Sequence, residues 1–249
     1  MPKRAQKTQA SLVQRDKFKT QHHLPQVHPQ TENQKLFVNS LNKDVVTVGK
    51  GVAGTGKTFL ACYHGAKQLH NRNIQKIVLI RAYQPLAGRS IGLLPGTLEE
   101  KLMPFYQQMI DYLTDILGKA VVEIHIKNKT IEICALEAIR GKSWDNCVVI
   151  CDEAQNLFVP EIQALTTRIG INTQMIFIGD GSGVQTDVRK GMNGLEYLEK
   201  IVKKYTIPNV GFVEFGYDDI LRSDITRDFV IAYDKEITDK TPIVKQEVK

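Results

Sequence analysis

The run Gly51-Val52-Ala53-Gly54-Thr55-Gly56-Lys57-Thr58 fits the spacing G-x-x-x-x-G-K-[ST] and constrains the fold more than any other feature of the chain. It follows a β-branched stretch at residues 44–48 (DVVTV) and precedes a helical pattern over residues 58–71. Glycines at 51, 54 and 56 let successive backbone N–H groups turn inward and cradle phosphate oxygens, and the next helix adds its positive N-terminal end. In such a loop Lys57 reaches the β- and γ-phosphates, and the Thr58 hydroxyl ligates Mg²⁺. Residues Gly51, Val52, Ala53, Gly54, Thr55, Gly56, Lys57 and Thr58 are therefore the expected nucleotide-binding set. A glycine turn that carried Gly-Lys-Thr by chance would need neither the strand before it nor the helix after it.

A second apolar strand, residues 147–151 (CVVIC), ends in Asp152 and Glu153. Adjacent acids at a strand end can divide two tasks: Asp152 orders the Mg²⁺ shell, and Glu153 activates an attacking water. A small-molecule kinase has no need of that glutamate, so the pair points to hydrolysis of ATP. Residues 175–178 (MIFI) form a third such strand, followed by Gly179, Asp180 and, in a polar loop, Gln185. A glutamine near a γ-phosphate can hold the lytic water; an ordinary loop residue is the bland alternative.

Strand candidates at 44–48, 76–80, 147–151, 175–178 and 210–215 alternate with helical patterns at 58–71, 98–117, 160–169 and 193–204. That rhythm predicts an α/β fold with a doubly wound parallel sheet. Residues 121–135 interrupt it. Val122, Ile124 and Ile126 alternate with polar neighbours, as do Ile131 and Ile133, around Lys127-Asn128-Lys129, which predicts a small inserted β-hairpin.

Charge divides the chain. Residues 1–30 carry Lys3, Arg4, Lys7, Arg15, Lys17 and Lys19 against Asp16 alone, which is most of the net +6. They are read as a basic mobile tail, either a nucleic-acid contact or a solvated leader. The globular domain is expected over 31–235, with a C-terminal tail at 236–249. No apolar run approaches the roughly 20 residues that span a bilayer. Met1-Pro2-Lys3-Arg4 lacks the apolar core of a secretory signal, so a cytoplasmic protein without a membrane partner is expected. Cys62, Cys134, Cys147 and Cys151 have no metal-ligand or disulfide spacing and read as small buried hydrophobes.

Beyond these readings, the chain resembles the PhoH-like family of P-loop ATPases, whose core is similar to that of superfamily-one helicases. The likeness runs from about Thr31 to Tyr233. It rests on residues 51–58, on Asp152-Glu153-Ala154-Gln155-Asn156 with Thr167-Arg168-Ile169-Gly170, and on Arg140-Gly141. The segment between them (Gly88, Gly92, Leu94-Pro95-Gly96, Glu99-Glu100-Lys101) also fits. The resemblance implies a single RecA-like core. It implies that Gln34, in Asn33-Gln34, reads the adenine edge, and that Arg222 or Arg168, less so Arg140, stabilises charge on the γ-phosphate. The sequence departs from the family pattern at Ala82, where proline is usual. It also departs in the two extra residues before Gln185 and in Ser223-Asp224, where His-Pro is commoner.

A helicase of that superfamily closes its ATP site with a second core in the same chain, for which 249 residues are too few. A homo-oligomeric ring, most simply a hexamer, is then expected to supply the missing arginine. The leading functional expectation is a Mg²⁺-dependent ATPase coupled to single-stranded RNA or DNA. An ATP-driven protein-remodelling factor is the main alternative, and a phosphotransferase with a small acceptor the third. Tyr83, Phe105, Tyr106 and Tyr112 could stack on bases, although helix-spaced aromatics more often belong to a core.

Overall fold

A computed structural model describes residues 24–82, 98–181 and 193–240 of the chain. Six strands form one sheet in the order β3-β2-β4-β5-β1-β6. They are β1 (Val46–Gly51), β2 (Lys76–Arg81), β3 (Ile131–Ile133), β4 (Cys147–Asp152), β5 (Gln174–Gly179) and β6 (Val210–Phe215), and every pairing is parallel. Parallel neighbours need crossover connections, and helices supply them. These are α1 (Glu32–Lys43), α2 (Lys57–His70), α3 (Leu98–Leu117), α4 (Lys119–Lys127), α5 (Val159–Thr166), α6 (Gly194–Tyr205) and α7 (Asp224–Lys240).

The sheet is covered on both faces, which is why its central strands read as unbroken apolar runs. Alternate residues, among them Ile77, Leu79, Val148, Ile150, Ile176 and Ile178, pack under α1, α2 and α3. Their neighbours Val78, Ile80, Val149, Cys151, Met175 and Phe177 pack under α5 and α6. All four cysteines are free and buried, as expected of small hydrophobes.

The inserted hairpin does not form. Residues 119–127 are helix α4, and Ile131–Ile133 is a single strand paired in parallel with β2 at the sheet edge. Val121, Val122 and Ile126 pack on the core while Ile124 is exposed, so the apolar stripe has helical spacing and only part of it looked alternating. The presumed turn is the helix exit: Lys129 adopts φ 56°, and the N–H groups of Lys129 and Thr130 close back onto the carbonyls of Ile126 and His125.

Leu24 and Val27 pack on the core, inside the stretch read as tail. The expected boundary at 235/236 falls within α7, which runs to Lys240. Gln185, Tyr83, Gly88, Gly92 and Leu94-Pro95-Gly96 lie outside the described residues. Among the described residues no helix is long and apolar enough to cross a membrane.

Candidate functional site

At the C-terminal edge of the sheet, β5 separates β1 from β4, so the strand ends stand two spacings, about 10 Å, apart, and the glycine loop carries the chain across that gap to the acid pair. A single cavity spans them. It is lined by the loop from Gly51 to Thr58 (Val52 excepted), by Asp152 and Glu153, by Gly179 and Asp180, by Arg222, and by Gln108 and Tyr112 of α3.

The loop is held in a geometry that only glycine tolerates at its tightest points. Gly51, Gly54 and Gly56 have φ of 137°, 83° and 81°. A Cβ at Gly51 would stand 2.1 Å from the Phe215 carbonyl oxygen, because β1 and β6 are paired through that residue. Lys57 closes the loop on itself: Nζ donates to the carbonyls of Gly51 (2.9 Å) and Val52 (2.7 Å) and to Thr55 Oγ1 (2.9 Å). Burial lowers its pKa to about 8, against the opposing pull of Asp180, Asp152, Glu153 and Asp219.

The Thr58 hydroxyl donates to Asp152 Oδ1 at 3.2 Å. Asp152 is only 4% exposed, and burial, followed by the neighbouring Glu153 charge, pushes its carboxyl up to about 6. Arg81 and the Thr58 hydrogen bond act in the other direction. Among the described residues no group of three or more His, Cys, Asp or Glu side chains could hold a metal alone. One hydroxyl and one carboxylate nevertheless suit Mg²⁺, which retains waters and takes its remaining ligands from phosphates.

Glu153 sits at the exit of β4 with φ 54° and ψ 35°, a left-handed conformation uncommon for a non-glycine residue. Its Oε1 accepts from Arg81 at 3.1 Å and its Oε2 from Gln155 Nε2 at 2.7 Å. The Gln155 Oε1 accepts in turn from the Asp180 N–H at 3.0 Å, linking the ends of β4 and β5. Sequence reasoning assigned no role to Arg81 or Gln155. The signals were there: Arg81 is the charged end of the buried run KIVLIR, and Gln155 lies within Asp-Glu-Ala-Gln.

The two arginine candidates separate. The Leu221 N–H donates to the Gly54 carbonyl, and the Arg222 side chain lies over that glycine, within 3.0 Å of where a Cβ would be. Arg168 lies elsewhere. Its guanidinium donates to the carbonyls of Ala164 and Arg140, both at 2.8 Å, and its own carbonyl accepts from Trp144, ahead of β4. It therefore ties the end of α5 to the turn at Leu136–Gly141, and its backbone lies ahead of β4, on the edge of the sheet opposite the cavity. Arg168 and Arg140 do not enter the cavity of their own chain.

Gln34, expected to read adenine, lies against the back of the loop. It is 3% exposed, Nε2 donates to the Thr55 carbonyl (3.0 Å), and Oε1 accepts from the Gln30 N–H (2.7 Å). Each end of the amide takes a backbone partner, so Gln34 braces the loop from behind. Of the expected stacking aromatics among the described residues, Tyr106 is buried in the core, Phe105 is partly buried against it, and Tyr112 lines the cavity together with Phe59, to which it is edge-on.

Residues 26–234 match the family described as PhoH-like protein. The chain belongs to the PhoH-like family. It is 35% identical over 211 residues to the PhoH-like protein of Bacillus subtilis, covering 84% of this chain and 65% of that one. To the protein PhoH of Escherichia coli K12 it is 30% identical over 206 residues, covering 81% and 56% respectively. The chain thus spans less than two thirds of either relative. Among solved structures, the large terminase of a thermophilic bacteriophage aligns with 80% of this chain and 48% of its own, with a TM-score of 0.48 and 14% identity.

Proposed function

We propose that this PhoH-like chain binds ATP with Mg²⁺ and hydrolyses it, and that turnover is coupled to binding or unwinding of single-stranded RNA or DNA. The observation that carries the reading is the convergence of Lys57, the Thr58–Asp152 pair and Glu153 on one cavity. The loop N–H groups and Lys57 receive the phosphates, Lys57 exchanging its bonds to the loop carbonyls for phosphate oxygens. Thr58 and Asp152 would hold Mg²⁺, which when bound neutralises charge on the β- and γ-phosphates. Glu153 takes the proton of the attacking water. Arg222, beside Gly54, stabilises γ-phosphate charge from within the chain, and Gln185 orients the water.

Two further features support a homo-oligomeric ring, hexameric in its simplest form. Arg168 can meet a γ-phosphate only on a neighbouring copy, since it lies at the far end of its own sheet. Helix α7 exposes Ile225 (62%), Phe229 (53%) and Tyr233 (61%) in a row four residues apart, an apolar stripe that suits a contact between copies. The basic residues near the N-terminus and the family's helicase-like core support nucleic acid as the coupled polymer.

Steady-state phosphate release from ATP, measured for wild type and Glu153→Gln with and without single-stranded RNA and DNA, tests the reading. Glu153-dependent turnover raised by one polymer is the expected result. Glu153-dependent turnover indifferent to both would transfer the coupling to a protein partner, turnover equal in the two proteins would remove Glu153 from the role of base, and no turnover in wild type would end the hydrolase assignment.

A further inference from the structure

Arg81 ends β2 directly beside Asp152 in the sheet register, yet it does not line the cavity; Glu153 does. Its guanidinium faces two ways. Nη2 donates to Glu153 Oε1 at 3.1 Å, and Nη1 donates to the Phe105 carbonyl of α3 at 2.7 Å, with Asp152 Oδ2 3.9 Å away. The backbone behind it is fixed: the Arg81 N–H donates to Tyr106 Oη, which donates to the Cys134 carbonyl. Gln155 holds the other oxygen of Glu153. The carboxylate is thus pinned at both oxygens, on a residue whose backbone is already left-handed, with the arginine tied to a helix that itself reaches the cavity through Gln108 and Tyr112. A planar fork can span two acceptors at once in a way that an ammonium cannot.

We propose that Arg81 is a positioning residue that parks Glu153 against α3, restraining hydrolysis until the contact with α3 opens. This rests on the reading of Glu153 as the water-activating group. To reach a water at the γ-phosphate, the carboxylate has to give up or bend a charge-assisted hydrogen bond, and that bond persists while Phe105 holds the other arm of the guanidinium. Displacement of α3 by whatever occupies the Gln108 and Tyr112 side of the cavity releases both at once, so Arg81 relays the state of that wall to the acid.

The test is the steady-state rate of Arg81→Ala, Arg81→Lys and the double variant Arg81→Ala/Glu153→Gln beside wild type and Glu153→Gln, together with fluorescent-nucleotide affinity for each. For Arg81→Ala we expect kcat to rise about fivefold, equivalent to about 1 kcal/mol of barrier. KM and nucleotide affinity should stay within about twofold, because the loop is untouched. Arg81→Lys should fall between, and the gain should vanish in the double variant. Damage to the fold lowers kcat and cannot imitate this result; Arg81→Met, which retains the aliphatic stem, serves if Arg81→Ala is insoluble. An unchanged or reduced kcat in the soluble variant overturns the parking role. If wild-type turnover still depends on Glu153, only that role is lost; if turnover does not depend on Glu153, the reading of Glu153 as the water-activating group falls with it.

Discussion

Gln34 Nε2 donates to the Thr55 carbonyl at 3.0 Å, so the first turn of α1 holds the phosphate loop from behind. Around it, the Thr31 hydroxyl caps α1 at the Gln34 N–H, and Asn33 Nδ2 donates to Asp219 Oδ2 at 2.8 Å. The residues that precede the loop and those that lead to Arg222 are thereby stitched to one another. Gln34→Ala leaves the buried Thr55 carbonyl and the Gln30 N–H without this partner, at a cost of about 1–3 kcal/mol. Affinities for ATP and GTP should then fall together, measured by titration of labelled nucleotides. Loss of ATP affinity alone would restore the adenine-reading role.

Gly51 is the least replaceable loop glycine. A methyl group there meets the Phe215 carbonyl at 2.1 Å, and the φ of 137° is itself unfavourable for alanine. Neither the β1–β6 pairing nor the loop can yield without losing ladder hydrogen bonds. Gly51→Ala should lower the thermal midpoint and abolish nucleotide binding. Gly141→Ala, where a Cβ meets nothing within 4 Å, should alter neither. Differential scanning fluorimetry of the pair, with and without nucleotide, checks both.

What the sequence made legible was local. The glycine loop, its strand and helix, and the acidic end of β4 are each short contiguous segments, and their chemistry follows from spacing. The Arg81–Glu153–Gln155–Asp180 chain of contacts is not local: it depends on β2 lying beside β4, and β4 beside β5, which no residue pattern reveals. The separation of Arg168 from Arg222 depends on which end of the sheet each occupies. The hairpin expectation failed for a different reason. Over a run as short as 121–126, the alternating and helical periods share enough positions that only the parallel pairing of β3 decides between them.

Asp152 places function and stability in opposition. Its carboxyl is raised from 3.8 to about 6 by burial and by the charge of Glu153, so the folded state holds the proton more tightly than the unfolded one. Stability is therefore lost as pH rises from about 4 to about 6, and above that range the ionised group destabilises the fold by about 3 kcal/mol. Asp152→Asn keeps an oxygen for the Thr58 hydroxyl and removes the charge. At pH 7.5 its thermal midpoint should rise by roughly 5 °C or more. The further rise that Mg²⁺ and ATP give wild type should disappear, because the variant no longer binds them productively. A variant less stable than wild type would contradict the burial argument.

His64, on α2, fixes the foot of the same structure through a different titration. Gln174 Nε2 donates to the carbonyls of Leu41 and Asp44, which leaves Oε1 to accept from His64 Nε2 at 2.7 Å and assigns the neutral Nε2–H tautomer. Burial lowers the His64 pKa to about 4, with the Gln174 bond opposing and Lys67 assisting. Between pH 6.5 and 4 the unfolded chain then binds a proton that the folded protein refuses, so stability falls as pH falls through that window, by about 3 kcal/mol at its lower end. His64→Gln has no such proton to refuse. Urea denaturation followed through the single tryptophan, the buried Trp144, should show the wild-type midpoint falling relative to that of His64→Gln between about pH 7 and about pH 4.5, the opposing titration of Asp152 being common to both proteins. The variant's curve should drop less over the same range, since other carboxylates titrate in both proteins and only the histidine differs. Parallel pH profiles would mean that His64 takes up its proton without leaving the core.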